Sequence, residues 1–424
     1  MDIAALQREN QYLKHAVEEL SFLNELSHAI GSLFNSEEIM QAIIKKSIRA
    51  IKAEQGVIIL VVSESDIEMK TLVRSMVSYG SHKPYSLDQS LLGWMHLNKK
   101  PISINDPKNE KRFSGFQWDK SIKSVACVPL LVKSKLTGIL SVFNKKGGMA
   151  FTDDDLRLLY IIASHSAQIV ENARLYEEER ALLKLKEETR LAREIQINLL
   201  PKSNPAVPSY DIAGKSIPAL SVGGDYYDFI PIDDDNIAVC LGDISGKGMP
   251  SALLMSNLQA TVRGQTLISG SPKDCIDRSN RLLFRSTNTD KFATLFYGIL
   301  NLEKNEFCYT NAGHNPPMFF KDKSNPILLK SGGTILGFMD KIEYQDDTIS
   351  FEPGDLCVIY SDGITEAMDT LRNQFGEKKL KALIKENWNL SSGEIIENIF
   401  KAVKEHSRGV PQSDDITMVV IRRK

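Results

Sequence analysis

The chain has 424 residues, of which 42% are hydrophobic and 25% charged, with a formal net charge of -2. That length suggests two or three domains at roughly 100–200 residues each, with the composition of an ordinary globular protein. The charge balance argues against a polybasic binder of nucleic acid or membrane surfaces. No run of about 18 apolar residues is present to span a bilayer.

The N-terminal MDIAALQREN is polar and helical and lacks the apolar core of a signal peptide. Over residues 1–30, Ile3, Asn10 and Val17 fall at one seam position, with Leu6, Leu13 and Leu20 three residues later. Leucine at d with one asparagine at a predicts a parallel two-stranded coiled coil, hence a homodimer. A single amphipathic helix lying on the next domain is the alternative. The cysteines (Cys127, Cys240, Cys275, Cys308 and Cys357) are widely spaced with no CxxC pair. This argues against a zinc or disulfide framework and for a reducing, cytoplasmic setting.

Residues 31–165 read as an α+β domain. Met40, Ile43, Ile44, Ile48 and Ile51 mark a helix face. Residues 56–62 (GVIILVV), 125–132 and 136–143 read as buried strands, the last two joined by a short turn. Thr152 followed by Asp153, Asp154 and Asp155 caps a long helix that no Gly or Pro interrupts before Pro201. A seam through Leu175, Leu182 and Thr189, with Leu185, Ala192 and Leu199, gives residues 166–200 the look of a coiled-coil connector, although Glu178 and Gln196 make the seam imperfect. PKSNPAVP at 201–208 breaks the chain. Residues 209–424 form a second α+β domain of short strands with Gly/Asp turns and helical stretches near 249–267 and 376–405.

This second domain carries four aspartate motifs: Gly223-Gly224-Asp225, Gly242-Asp243, Ser361-Asp362-Gly363 and Asp414-Asp415-Ile416-Thr417. Asp243 and Asp362 follow short apolar strands and Asp414 precedes one. Strand ends are rigid, and an adjacent Gly lets backbone approach closely. Converging carboxylates repel one another and are tolerated together only with protons or bound cations. All-oxygen ligands select Mg²⁺ or Mn²⁺ over zinc. Asp-Gly pairs that merely make turns are the bland alternative; four such motifs in one domain argue against it. Gly246-Lys247-Gly248-Met249-Pro250 is no Walker loop, and Pro250 suits a helix start.

The order GGD, GD-x-S-G-x-G, SDG and DD-I-T, with TLFYGIL at 294–300 and NAGHNPP at 311–317, resembles the metal-dependent PPM protein phosphatases, specifically their SpoIIE-like branch. The resemblance covers residues 209–424 and implies an α/β/β/α sandwich that hydrolyses phosphoserine or phosphothreonine. It implies two Mn²⁺ or Mg²⁺ ions: Asp225 on one, Asp243 bridging both, the Ile244 carbonyl completing a site, and Asp362 and Asp414 on the second. Asp228, Asp415, Gly224 and Gly363 would support these ligands. The ions would lower the pKa of a bridging water, so no side-chain nucleophile is needed. Where many relatives have a His two residues after the bridging aspartate, this chain has Ser245. His314, in the NAGHNPP loop, is either a proton donor or structural. No counterpart of the relatives' phosphate-binding Arg is evident.

SVACVPLLVKSKLTGILSVFNKK followed by FTDDDLRLLYIIASHSAQIVENARLY resembles a GAF domain, a sensory fold that takes a small-molecule or protein input whose identity the sequence leaves open. Asn144-Lys145, Phe151 and Asp155 match part of a cyclic-nucleotide signature, but the expected following acid is Leu156. Stapling and capping of the next helix explains the same residues. Cys127 lies mid-strand and is no chromophore attachment point. The leading reading is a signal-controlled phosphatase acting on a phosphorylated regulatory protein, such as an anti-sigma-factor antagonist, without nucleic acid or membrane insertion. A non-catalytic partner-switching regulator and another two-metal phosphoesterase, such as a nuclease, are the alternatives.

Overall fold

The computed structural model describes residues 36–62, 70–78, 89–113, 118–286 and 291–424. The heptads of residues 1–30 lie outside the described residues. The chain divides into two compact units, Met1–Lys184 and Leu185–Lys424.

In the first unit, helix α1 (Ser36–Ile51) buries Ile39, Met40, Ile43, Ile44, Ile48 and Ile51, the stripe that a 3.6-residue period selects. Strands β1 (Ala53–Val62) and β2 (Lys70–Ser78), helix α2 (Gln89–Asn98), and strands β3 (Ile102–Ile104), β4 (Val125–Val132) and β5 (Lys135–Lys145) follow. The strands make one antiparallel sheet in the order β2-β1-β5-β4-β3. Between β4 and β5, Lys133 and Ser134 take φ of 47° and 67°, the left-handed pair that a two-residue type I′ hairpin requires.

Helix α3 (Asp153–Leu199) is continuous. Thr152 N–H donates to Asp155 Oδ2 (2.7 Å) and Asp155 N–H to Thr152 Oγ1 (3.2 Å), a reciprocal cap. Pro201 follows its end, as the sequence predicts. Its first turns pack Leu159, Ile162, Ala163, Ala167 and Val170 with α1 on one side of the sheet, and Leu91 and Met95 of α2 pack on the other.

The second unit contains two sheets. Strands β6 (Tyr210–Ile217), β7 (Tyr226–Pro231) and β8 (Asn236–Ile244) precede helices α4 (Met249–Thr266) and α5 (Pro272–Ser286). After them come β9 (Ala293–Asn301), β10 (Glu306–Ala312), β11 (Met318–Phe320), β12 (Ile327–Leu328), β13 (Gly332–Gly333), β14 (Asp347–Ser350) and β15 (Leu356–Tyr360). The chain ends with α6 (Asp362–Thr365), α7 (Gly376–Glu386), α8 (Ser392–His406) and β16 (Ile416–Arg423). One sheet runs β13-β10-β9-β8-β7, with β14 also on β10; the other runs β12-β11-β15-β16-β6. Phe296, Phe307, Tyr309, Phe319 and Phe351 fill the space between them, with Val239, Ile359 and Val419. Helices α4 and α5 cover the first sheet, burying Met255, Leu258, Val262, Ile276 and Leu283; α7 and α8 cover the second with Leu380, Ile384, Ile395, Ile396 and Ile399. Each fully buried aliphatic side chain contributes roughly 1.5–3 kcal/mol. The result is the expected helix–sheet–sheet–helix sandwich.

Two helices differ from the sequence reading. The stretch 376–405 is two helices, because Ser391 caps α8 through a reciprocal box with Glu394. Helix α5 has no apolar run to announce it, only an amphipathic stripe through Cys275, Ile276, Ser279, Asn280 and Leu283.

Candidate metal centre

The four aspartate motifs meet at one end of the sandwich. Asp243 lies near the end of β8, Asp362 opens α6 directly after β15, and Asp414 and Asp415 lead into β16. Asp225 immediately precedes β7, whose first residue, Tyr226, pairs with Gly242. Ser361 stitches the second sheet together here: its N–H donates to Thr417 O (3.0 Å), and its Oγ accepts from Thr417 N–H (2.9 Å) and donates to Asp415 O (3.2 Å).

Electrostatics make the convergence explicit. Burial, then the Asp243 and Asp415 charges, holds the Asp225 carboxyl well above the usual carboxylate range. Asp243 is pushed up to about 7 by burial, then by Asp362, Asp414 and Asp415. Asp362 is raised by burial, then by Asp414 and Glu366. Oδ2 of Asp225 is buried without a hydrogen-bond partner. A buried, unpartnered carboxylate oxygen among mutually repelling carboxylates is a site that lacks positive charge.

Asp415 does different work from Asp414. Its Oδ1 accepts from Ala219 N–H (2.7 Å), and its Oδ2 accepts from Gly224 N–H (2.6 Å) and Asp225 N–H (3.2 Å). Both oxygens are spent holding the GGD loop. Close approach explains two glycines. A Cβ at Gly363 would come within 2.0 Å of the Asp415 carbonyl oxygen, and one at Gly224 within 3.0 Å of the Ile244 carbonyl oxygen. Asp414 instead pairs with Lys247 Nζ at 2.9 Å, and that ammonium also donates to Ser413 O.

These residues fit hard divalent cations by donor type, since Asp225, Asp243, Asp362, Asp414 and the Ile244 carbonyl are all oxygen ligands. As the side chains stand, no three His, Cys, Asp or Glu groups among the described residues are drawn to ligand spacing around one point. The carboxylates are close enough to raise one another's pKa values, and Lys247 is the cation that now pairs with Asp414.

Two of the expected residues, Asp228 and His314, are engaged elsewhere, as is Ser245. Asp228 is fully buried on the α4 side of β7, accepting from Arg263 Nε (2.7 Å), Arg263 Nη2 (3.0 Å) and Tyr226 Oη (2.8 Å). It is three residues from Asp225, and alternation along the strand turns the two side chains to opposite faces. Asp228 therefore anchors α4 and does not support the metal ligands. His314 is buried, with Nδ1 2.8 Å from Thr294 Oγ1 and its backbone N–H on Asn311 Oδ1. Burial lowers its pKa to about 4, which favours the neutral imidazole. Ser245 accepts from Phe292 N–H through Oγ (3.0 Å) and ties β8 to β9. Sequence reasoning missed Gln196 and Lys247; a polar residue breaking the α3 seam was the only hint of Gln196.

In the first unit, the residues matching the cyclic-nucleotide pattern are satisfied by their own chain. Asn144 accepts from Lys123 N–H (2.8 Å) and donates to Glu54 Oε2 (2.9 Å) and Ser121 O (3.0 Å). Lys145 pairs with Asp155, and Asn105 brackets the Phe151 backbone (2.7 and 3.0 Å). Cys127 is buried, its thiol pushed up to about 12 by burial, which disfavours the thiolate needed for attachment.

Comparison with known proteins bears on both units. Residues 35–171 match the GAF domain model, and residues 233–424 match that of stage II sporulation protein E, SpoIIE. Phosphoserine phosphatase RsbU of Bacillus subtilis is 32% identical over 242 residues, which cover 57% of this chain and 71% of RsbU. The chain belongs to the SpoIIE-type, PP2C-like phosphatase family. Protein IcfG of a Synechocystis species is 30% identical over 260 residues, spanning 54% of this chain and 40% of that longer protein. Among solved structures, the SiaA-PP2C domain of Pseudomonas aeruginosa superposes with a TM-score of 0.51 at 20% identity, covering 57% of this chain and 99% of that domain. That likeness shows that the SpoIIE-type unit has the PP2C fold.

Proposed function

We propose that this chain is a divalent-cation-dependent phosphatase that removes phosphate from serine or threonine of a regulatory protein, under control of its GAF unit. The observation that carries the reading is the buried, unpartnered Asp225 Oδ2, on a carboxyl raised by Asp243, which Asp362 and Asp414 raise in turn. Two Mn²⁺ or Mg²⁺ ions bound there would activate water and neutralise phosphoryl oxygens. Asp225, Asp243, Asp362, Asp414 and the Ile244 carbonyl would hold them, and Asp415 fixes the loop that presents Asp225. Water adds to phosphorus, the bond between phosphorus and the serine oxygen breaks, and that oxygen leaves with a proton. His314 takes no part in proton transfer in this scheme. Lys247, once displaced from Asp414, is free to meet the phosphate.

The name of RsbU supports phosphoserine as the substrate. The family resemblance extends this to a small phosphorylated regulator, such as an anti-sigma-factor antagonist. The exposed Leu175, Leu182 and Leu185 on α3 support a homodimer through the connector. Among the described residues no helix is long and apolar enough to cross a membrane, and the unpaired cysteines fit a cytoplasmic setting.

The test is hydrolysis of a phosphoserine protein with and without Mn²⁺. Asp243→Asn and Asp362→Asn should abolish turnover at saturating Mn²⁺ while leaving the circular dichroism spectrum unchanged. Near-parental turnover by either variant refutes the metal scheme. Phosphoprotein binding without hydrolysis by the parent would make the chain a non-catalytic regulator.

A further inference from the structure

Gln196 is an anomaly on α3. Its neighbours Ile195 and Ile197 are 66% and 55% exposed, yet this polar side chain is only 9% exposed. Its amide is spent on one residue. Nε2 donates to Gly223 O at 2.7 Å, and Oε1 accepts from Gly223 N–H at 2.9 Å. The side chain thus pairs with the backbone as a neighbouring strand would, fixing both position and orientation. Two residues on is Asp225. Between them, Gly224 N–H and Asp225 N–H both end on Asp415 Oδ2. A Cβ on Gly223 would lie 2.5 Å from that same oxygen, so the loop is pressed flat against Asp415. The end of α3, the GGD loop and the Asp414-Asp415 turn are one hydrogen-bonded stack within the second compact unit.

We propose that Gln196 is a positioning residue for Asp225, clamping residues 223–225 in the place from which Asp225 shares a cation with Asp243. Divalent-cation affinity is then set in part by the last turns of the connector helix. The proposal rests on the metal-phosphatase reading. A second contact separates it from simple anchoring of the helix end: Gln259 Nε2 on α4 donates to Leu199 O at 3.3 Å. That bond ties the helix end to the unit without touching the loop.

The experiment uses the full chain and Mn²⁺ alone as the probe. Mn²⁺ binding is measured by calorimetry and by electron paramagnetic resonance of the free ion, beside urea unfolding in EDTA. Gln196→Ala removes the clamp. Gln196→Glu keeps the shape and an acceptor for Gly223 N–H but offers Gly223 O no donor, and it serves if the alanine variant does not fold. Both should raise the Mn²⁺ dissociation constant about tenfold, the scale of one or two hydrogen bonds. Turnover at saturating Mn²⁺ should stay within about twofold of the parent, since the ligands themselves remain. Gln259→Ala should shift unfolding and leave Mn²⁺ affinity unchanged. Parental Mn²⁺ affinity in the Gln196 variants overturns the proposal, as does an equal loss in Gln259→Ala. A parent chain that binds no Mn²⁺ overturns the metal reading itself, and this proposal with it.

Discussion

Asp415→Ala tests whether this carboxylate is a brace for the GGD loop. In the metal-free protein the substitution strands three N–H groups, those of Ala219, Gly224 and Asp225, now held at 2.7, 2.6 and 3.2 Å. A hydrogen bond to a charged group contributes about 1.5–3 kcal/mol, and a buried donor left unpaired costs about 1–3 kcal/mol. Gly224 and Asp225 share one oxygen, and Ala219 is partly exposed so that water replaces its partner. The gross loss is therefore about 4–5 kcal/mol. Against it stands relief, because the Asp415 charge raises Asp225 and Asp243. The expected net loss is about 3 kcal/mol. Asp415→Asn removes the same charge but keeps one acceptor for the Gly224 and Asp225 N–H groups, so its loss should be about 1 kcal/mol. The assay is urea unfolding in EDTA with Trp94 and Trp118 replaced by Phe, leaving Trp388, packed edge-on to Phe320, to report the second unit. A loss below about 1 kcal/mol for Ala, or a larger loss for Asn than for Ala, refutes the brace.

Arg263→Ala leaves the buried Asp228 carboxylate with only Tyr226 Oη and the Phe229 N–H, and no counter-charge; since Arg263 is half exposed, the expected cost is about 2–4 kcal/mol. Urea unfolding checks this, and adding Asp228→Asn should recover part of the loss; no recovery would show that the buried charge is not the cause. In EDTA, the Asp243 contribution to stability should fall as pH rises from about 4 to about 7, against an opposing rise from buried His314, whose pKa is lowered to about 4. The native Asp243 titrates near 7 against an ordinary value of 3.8, so at this carboxyl the native state binds more protons than the unfolded one across that window. The fall should be weaker in Asp243→Asn and with Mn²⁺ present; identical slopes in parent and variant would contradict it. Inserting four residues after Lys186 rotates the connector seam and should change activity or its response to effector, whereas inserting seven approximately restores it. If both insertions behave like the parent, the connector is a passive tether.

Much of the site was legible because its signals are local. A carboxylate at a strand end beside Gly, repeated in four motifs, announces itself through apolar runs and turn residues that lie next to it in sequence. The same holds for α3, whose start at Thr152 and stop at Pro201 are written in adjacent residues. What escaped are choices of face and partner. Asp225 and Asp228 look alike in GGDYYDF, yet strand alternation sends one to the carboxylate cluster and the other to Arg263. Asp414 and Asp415 are consecutive, yet one faces Lys247 and the other Ala219, Gly224 and Asp225. His314 sits in a loop that reads as functional and is buried against Thr294.

By itself, the sequence determined most of the elements and pointed to the aspartate motifs that converge, since propensity, capping and hydrophobic period act within a few turns of chain. Only the tertiary structure decided which carboxylates share a space, which are spent on backbone N–H groups, and that Gln196 reaches Gly223. Those partners are separated by long stretches of chain, and only packing the two sheets face to face brings them within hydrogen-bonding distance.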